Sequence, residues 1–195
     1  MKVITDYLII GAGVVGISIA REIKIRNPKV SVTILEKESD VGLHSSGRNS
    51  SVLHSGIYYP SESLKAMVCS QGAMEMKDYH RDNKIPLVEC GKILITTNQY
   101  DEPQLETLLR RAKENKILIE ELDEQDLKRL EPEIRSFNGK GLYVPSTSVG
   151  DSKKVMKTLR EEVERMGVSI YFNSNIIKIN STTMQVNLAD GSMCH

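Results

Sequence analysis

The chain has 195 residues, 39% of them hydrophobic, which is enough for one large domain or two small ones with a real core. Its 26 Lys and Arg residues balance 26 Asp and Glu residues, so charge alone gives no attraction for nucleic acid. The 3 cysteines form no Cys-x-x-Cys pair, which favours a reducing compartment and predicts no metal site. The longest uncharged stretch, residues 7–20, is too short for a transmembrane segment, and we expect a cytoplasmic protein, with peripheral membrane association left open.

The first 35 residues predict a strand, a helix and a second strand. Residues 7–10 form a short apolar run, typical of a strand buried on both faces of a parallel sheet. The helix ends at Asn27, because the residue before Pro28 disfavours the helical conformation. The β-branched run at residues 30–35 predicts a second strand, parallel to the first. Together these segments form one βαβ unit.

The rest of the chain alternates between polar loops, helices and short strands. Residues 42–56 are almost all small or polar and predict a loop rich in hydrogen-bond donors. Apolar spacing then predicts helices from Ser61 to about Asn83, from near Pro103, over residues 123–130, and from Asp151 or Ser152 to Gly167. Strands are predicted at residues 92–96, 116–120, 141–144, 168–172, 176–179 and 184–188, with a turn at residues 190–191.

A glycine motif, G-x-G-x-x-G, lies between the first strand and the first helix, which is the context that a dinucleotide-binding fold requires. Gly11 permits a tight turn, Gly13 lets a pyrophosphate approach the backbone, and Gly16 lets the helix pack close to the strand. The helix N-terminus would offer its free N–H groups to the phosphates. The predicted cofactor-binding residues of this motif are Gly11, Gly13, Val14, Val15 and Gly16.

A carboxylate supports the same prediction. Glu36 ends the second strand about 20 residues after Gly16, where it would accept hydrogen bonds from the adenosine ribose. It would also repel a ribose 2′-phosphate, which disfavours NADP although Lys37 lies next to it. A polar loop follows instead of a third apolar strand, and its donors suit the longer ligand FAD better than NAD. The predicted FAD-binding residues after the motif are Glu36, Lys37, Ser45, Ser46, Gly47, Asn49 and Ser50, although a serine-rich run without that motif would indicate a surface loop.

Several segments resemble the L-2-hydroxyglutarate oxidase or dehydrogenase family, which belongs to the FAD-dependent oxidoreductases related to D-amino-acid oxidase. They are residues 35–38, 44–59, 62–66, 90–94, 130–132 and 144–146, so the similarity runs over essentially the whole chain. The combination of Asn49-Ser50 with Tyr58-Tyr59 is specific to this branch. Two positions depart from the family's loop: Arg48 stands where the family usually has His, and Ser51 where it usually has Gly.

The resemblance implies oxidation of L-2-hydroxyglutarate to 2-oxoglutarate, with hydride transfer to flavin N5 and electrons leaving to oxygen or a quinone. It also implies an α/β fold, with a Rossmann-like FAD-binding domain formed by residues 1–88 and 151–195. Residues 89–150 would begin a substrate domain of mixed sheet and helices. Members of the family are about twice as long, so we expect the chain to be truncated and to correspond to the N-terminal half of such an enzyme.

Four residues are candidates for the reaction itself. His54 is the candidate for the base or for a donor beside the flavin, against the alternative of a structural histidine in a turn. Tyr58, Tyr59 and Lys65 are candidates for binding the substrate carboxylates. Two other functions remain open: a truncated, non-catalytic fragment that binds FAD weakly or not at all, and a related flavoenzyme acting on glycerol 3-phosphate or an amino acid.

Overall fold

The computed structural model describes residues 2–180 and 182–194. The strands within these ranges are β1 (Lys2–Val3), β2 (Tyr7–Ile10), β3 (Val32–Leu35), β4 (Val52–Leu53), β5 (Ile93–Ile95), β6 (Glu120–Leu122), β7 (Gly141–Tyr143), β8 (Ser148–Val149), β9 (Val168–Tyr171), β10 (Ile176–Asn180), β11 (Gln185–Leu188) and β12 (Met193–Cys194). The α-helices are α1 (Val14–Arg26), α2 (Leu64–Asp82), α3 (Glu102–Glu114), α4 (Glu124–Leu130) and α5 (Ser152–Arg165). The chain divides into two compact units: unit 1 is Met1–Asn49 with Ser152–His195, and unit 2 is Ser50–Asp151.

A parallel sheet in the order β2-β3-β9 forms the centre of unit 1. All four residues of β3 are buried, because this strand has a neighbour on each side. The predicted burial of β2 on both faces is wrong, since Tyr7 is 44% exposed and Ile10 is 53% exposed. The reason is that β2 lies at the edge of this sheet in the described structure, where an apolar run is covered only in part.

Helices α1 and α5 pack against each other and against this sheet. The apolar face of α5 is the one predicted from its spacing, and its Val155, Met156, Leu159 and Val163 are all buried. On α1, Ile17 and Ala20 are fully buried. Gly167 follows α5 with a φ of +83°, the left-handed conformation predicted for a residue that ends a helix. The predicted βαβ unit and the helix that returns to it are therefore confirmed.

The second sheet of unit 1 has the order β1-β12-β11-β10. Strands β10, β11 and β12 form an antiparallel meander, whose last turn contains Gly191 with a φ of +81°. Leu35, Val186, Leu188 and Cys194 form a buried cluster beneath it. The two predicted strands and the turn are thus present, and β1 and β12 add two residues each that no periodicity could indicate.

Unit 2 contains an antiparallel sheet in the order β5-β7-β6, with α3 packed on β7 and a small β4-β8 ladder. Its buried cluster comprises Ile57, Ala112, Ile117 and Val144. The strand predicted at residues 116–120 is wrong. Lys116 has a φ of +54°, and the Ile117 N–H donates to the Ala112 carbonyl at 2.8 Å, so these residues end α3 and the strand starts at Glu120.

The two compact units differ in one segment from the two domains predicted from the sequence. Residues 50–88 pack within unit 2, whereas the sequence assigned them to the FAD-binding domain. A compact unit is defined by its internal contacts and not by its ligand, so the assignment of residues 1–88 and 151–195 to FAD and of residues 89–150 to substrate stays a prediction. Within the described ranges, no helix is both long and apolar enough to cross a membrane.

Candidate functional site

The glycine turn between β2 and α1 is closely packed. Gly11 has a φ of +98°, and its N–H donates to the Leu35 carbonyl at 2.8 Å, which ties the turn to β3. A Cβ atom at Gly16 would lie 2.0 Å from the Gly11 carbonyl oxygen, a distance that no side chain can occupy. Only glycine therefore lets α1 begin this close to the strand.

The N-terminus of α1 faces the polar loop that follows β3. Gly13 is the N-cap residue and provides no side-chain cap, and the first turn of α1 carries no acidic residue. The Ser46 hydroxyl accepts a hydrogen bond from the Val14 N–H at 3.0 Å. A Cβ at Gly13 would lie only 3.2 Å from that hydroxyl, so the backbone and the loop meet here. The arrangement leaves the positive end of the helix dipole available to an anion.

Glu36 is held in place by backbone donors and is only 8% exposed. Its Oε2 accepts from the Ala12 N–H at 2.6 Å, and its Oε1 accepts from the Glu38 N–H at 2.9 Å. Its backbone carbonyl accepts from the Ser174 N–H at 2.8 Å. The carboxylate is therefore fixed at the end of β3, and its remaining lone pairs can accept hydrogen bonds from a ligand.

A cavity of about 370 Å³ connects these features within unit 1, and its size lies in the range of small-molecule sites, about 300–1,000 Å³. The predicted residues that line it are Gly11, Gly13, Glu36, Lys37, Ser45 and Ser46. At its rim, His44 Nε2 lies 2.8 Å from Glu38 Oε1, and this hydrogen bond lowers the pKa of Glu38. A glycine backbone at a helix N-terminus, a fixed carboxylate and serine hydroxyls together fit the adenosine diphosphate half of FAD.

Six of the predicted FAD-binding residues do not line this cavity: Val14, Val15, Gly16, Gly47, Asn49 and Ser50. Val15 is 68% exposed on α1, and the side-chain amide of Asn49 donates to the carbonyls of Ser45 and Ser46 at 2.9 and 3.0 Å. Asn49 thus stabilises the loop itself. Gly47 lines a second cavity of about 740 Å³, which the loop forms with α5 and whose lining includes both cationic and acidic side chains.

His54 lies in unit 2, in the loop that follows β4, and is half-buried. The Gly56 N–H donates to His54 Nδ1 at 3.3 Å, which in the neutral ring favours the proton on Nε2. Cys69 Sγ lies 3.5 Å from the same Nδ1 and can accept from it in the other tautomer. Burial, and second the positive charge of Lys92, lower the pKa of His54, so the ring is neutral near pH 7.

Tyr58 and Tyr59 surround this imidazole. Their ring centroids lie 6.1 and 5.9 Å from that of His54. Two side chains of the segment that ends α3 hold their backbone: Arg111 Nη1 donates to the Tyr58 carbonyl at 2.7 Å, and Asn115 Nδ2 donates to the Tyr59 carbonyl at 3.1 Å. The structure therefore brings three predicted reaction residues together.

Two lysines lie against these tyrosines. Lys65, which the sequence singled out, is exposed on α2, and its Nζ lies 5.5 Å from the Tyr59 ring centroid. Lys92 was missed: it is half-buried, its Nζ lies 4.8 Å from the Tyr58 ring centroid, and it donates a hydrogen bond to the Tyr58 hydroxyl. The only signal for Lys92 in the sequence was its place in the 90–94 segment that carries the resemblance.

Ser50 and Ser51 begin unit 2. Ser50 is exposed, and its predicted contact with FAD stays a prediction. Ser51 has a φ of +55°, in the left-handed region that favours glycine. A glycine at this position would adopt the same backbone conformation at no steric cost.

Comparison with known proteins identifies relatives over nearly the whole chain. A model of the FAD-dependent oxidoreductase family matches residues 6–192. The mitochondrial L-2-hydroxyglutarate dehydrogenase of Dictyostelium discoideum is 37% identical over 92% of the chain, and that of Homo sapiens is 34% identical over 88%. The L-2-hydroxyglutarate dehydrogenase of Indibacter alkaliphilus is 33% identical over 90%. The chain spans 42%, 37% and 44% of the lengths of these three proteins.

Solved structures show the same fold. The FAD-bound L-α-glycerophosphate oxidase of Mycoplasma pneumoniae matches 98% of the chain with a TM-score of 0.83 and 24% identity. Glycine oxidase of Geobacillus kaustophilus matches 96% of the chain with a TM-score of 0.85 and 19% identity. The chain covers 52% of each of these structures.

Proposed function

Since the chain belongs to the FAD-dependent oxidoreductase family, we propose that it holds FAD and serves the oxidation of L-2-hydroxyglutarate to 2-oxoglutarate. Family membership confirms the predicted fold class and FAD as the family's cofactor. The observation that carries the substrate is the 37% identity, over 92% of the chain, with an enzyme named for L-2-hydroxyglutarate. The electron acceptor, oxygen or a quinone, remains part of the proposal.

The residues that would hold FAD are those of the 370 Å³ cavity. The N–H groups of the first turn of α1 that Ser46 does not engage would donate to the pyrophosphate. Glu36 would accept from the adenosine ribose hydroxyls while its two backbone donors keep it in place. Ser45 and Ser46 add hydroxyl donors from the loop. When bound, FAD would supply the two-electron acceptor for the hydride at C2 of the hydroxy acid.

His54 is the residue that we place at the substrate hydroxyl. Its lowered pKa keeps the ring neutral near pH 7, and only a neutral ring can take up a proton. When Nδ1–H faces Cys69 Sγ, Nε2 has the free lone pair of a base. When Nδ1 accepts from the Gly56 N–H, Nε2 carries the proton and acts as a donor. Tyr58, Tyr59 and Lys65 would donate to the substrate carboxylates.

The experiment measures flavin content and turnover of the purified chain with L-2-hydroxyglutarate and an artificial electron acceptor. We expect stoichiometric FAD and oxidation of the L enantiomer, with the D enantiomer as the control substrate. His54→Gln should lower kcat/KM by about 10²-fold or more without loss of flavin, which is the usual contribution of a general acid or base. Glu133→Gln changes an exposed carboxylate in unit 2 and should leave both quantities unchanged.

Each other outcome contradicts the proposal in a specific way. Protein that retains FAD but oxidises no hydroxy acid supports an FAD-binding chain without catalysis, and protein that retains no FAD supports a non-catalytic fragment. Faster turnover of glycerol 3-phosphate or glycine would assign the chain to one of the other flavoenzyme classes. Parallel measurement of oxygen consumption separates an oxidase from an enzyme that needs a quinone.

A further inference from the structure

Lys92 occupies a defined position immediately before β5. Its N–H donates to the Val144 carbonyl at 3.1 Å, and the Val144 N–H donates back to the Lys92 carbonyl at 2.8 Å. The side chain is half-buried and directs its ammonium group to the Tyr58 hydroxyl. Because both ends of this lysine are held, its charge has a defined place, unlike that of a lysine on an exposed helix face.

The charge of Lys92 has no carboxylate partner among the residues that the structure describes. Other lysines with little exposed surface have strong oxygen acceptors: Lys77 Nζ lies 3.4 Å from Glu89 Oε2, and Lys24 Nζ donates to the Pro28 and Val30 carbonyls at 2.6 and 3.0 Å. A neutral phenol is a weaker partner than a carboxylate for an ammonium group. Lys92 is therefore able to take an additional, anionic ligand.

Lys92 and His54 share Tyr58 as a neighbour. Lys92 Nζ lies 4.8 Å from the Tyr58 ring centroid, and the His54 ring meets the same ring edge-on at 6.1 Å. Arg111 holds the Tyr58 backbone at 2.7 Å, so the tyrosine between the two groups is fixed. A cation, a phenol and a neutral imidazole in one place suit a ligand with a carboxylate next to a hydroxyl group.

We propose that Lys92 binds a carboxylate of a dicarboxylic 2-hydroxy acid beside His54, with the Tyr58 hydroxyl orienting its ammonium group. This inference rests on the proposed function and adds a substrate-binding residue to it. Lys65 is the other cation proposed for the two carboxylates, but it is exposed on α2 and lies against the Tyr59 ring with no hydrogen-bond partner among the described contacts. A partly desolvated cation attracts an anion more strongly than an exposed one does.

A carboxylate at Lys92 has a measurable effect on His54. Burial is the larger cause of the lowered pKa of His54, and the positive charge of Lys92 is the second cause. An anion bound to Lys92 offsets that charge, so the pKa of His54 rises on binding. The other titratable side chains that the structure places against the imidazole are the Cys69 thiol on α2, whose pKa is raised by burial, and the phenols of Tyr58 and Tyr59.

The experiment is an NMR titration of the 195-residue chain, with glutarate as a non-oxidisable dicarboxylate. The chain has 4 histidines, and comparison with His54→Gln assigns the His54 signal. In the wild type, glutarate should bind saturably and raise the pKa of His54. In Lys92→Gln, the pKa of His54 without ligand should be higher than in the wild type, and glutarate should cause no further rise. Glutarate binding should be weaker by about tenfold or more, since a charge-assisted hydrogen bond is lost.

Two variants control for charge and for folding. Lys113→Gln removes an exposed lysine of α3, in the same unit, and should leave the glutarate affinity and the pKa of His54 unchanged. Lys92→Arg retains the cation and should retain glutarate binding, which separates a loss of charge from a loss of structure. The inference is overturned if glutarate leaves the His54 signal unchanged in the wild type. It is equally overturned if Lys65→Gln abolishes the effect while Lys92→Gln does not.

The outcome is independent of turnover. Glutarate binding that requires Lys92, in a chain that does not oxidise L-2-hydroxyglutarate, refutes the proposed function and leaves the anion site standing. Oxidation of L-2-hydroxyglutarate with the same KM in wild type and Lys92→Gln refutes the role of Lys92 and leaves the proposed function standing.

Discussion

The backbone at Ser51 has a conformation that its side chain disfavours. With a φ of +55° the residue lies in the left-handed region, which costs an L-residue with a Cβ atom about 1–2 kcal/mol relative to its usual conformations. Glycine has no such cost. Ser51→Gly should therefore stabilise the chain by about 1 kcal/mol, measured as the free energy of unfolding in urea.

The neighbouring serine is the control for this substitution. Ser50 has no positive φ, so Ser50→Gly should be neutral or slightly destabilising because glycine adds freedom to the unfolded chain. Equal effects of the two substitutions would contradict the argument from φ. A loss of stability in Ser51→Gly would show that the contacts of the serine side chain outweigh the strain.

The chemistry of single residues is predictable where it is local in the sequence. Gly16 and Glu36 follow from a motif, and the structure gives each a physical reason, a close approach to the Gly11 carbonyl and a fixed carboxylate. Lys92 was not predictable, because its contact with Tyr58 joins residues 34 positions apart on different elements. A lysine beside a strand has no periodic signal that distinguishes a buried ammonium from an exposed one.

The first helix depends on one glycine, and a second helix provides the comparison. A Cβ at Gly16 would lie 2.0 Å from the Gly11 carbonyl oxygen, whereas a Cβ at Gly72, in the interior of α2, would have no atom within 4 Å. Gly16→Ala should displace the N-terminus of α1 and destabilise the chain by about 2 kcal/mol or more, as overpacking does. Gly72→Ala should stabilise it by about 0.5–1 kcal/mol, from helix propensity.

Urea denaturation and FAD content test this pair together. Because Gly16 lies at the N-terminus that would receive the pyrophosphate, Gly16→Ala should lose FAD as well as stability, and Gly72→Ala should lose neither. Unchanged stability of Gly16→Ala would mean that the turn and α1 can separate at little cost. In that case the close approach could not be the reason for glycine at this position.

Elements were predictable where one pattern covers several turns or a whole strand. Helix α5 shows a clear apolar face, and β3 is rich in β-branched residues, so both were predicted close to their observed bounds. The strand at residues 116–120 was predicted from composition, but the left-handed Lys116 and the 69% exposed Leu118 lie in the turn and loop between α3 and β6. Local composition cannot show where a helix ends and the next strand begins, because the backbone hydrogen bonds at the helix end set that boundary.

At the scale of the whole chain, the sequence predicted two regions and the structure contains two compact units, with one segment assigned differently. Residues 50–88 follow the glycine motif and the serine-rich loop in the chain, but they belong to unit 2, where β4 pairs with β8, a strand far from it in the sequence. Such long-range packing has no local signature. Several relatives are named as mitochondrial, and the cytoplasmic location stays a prediction.

The division into two compact units predicts where the adenosine diphosphate part of FAD should bind. Gly11, Gly13, Glu36 and Ser46, which line the proposed adenosine site, all belong to unit 1, within Met1–Asn49. Adenosine diphosphate, which lacks the flavin, should therefore slow amide hydrogen exchange around the glycine turn and the 42–47 loop and leave unit 2 unchanged. Glu36→Gln should weaken the binding of adenosine diphosphate about tenfold, since a carboxylate acceptor for the ribose is lost. The protection at a given ligand concentration should fall accordingly. Protection confined to unit 2, or equal in the wild type and Glu36→Gln, would place the adenosine elsewhere and refute the assignment of the cavity.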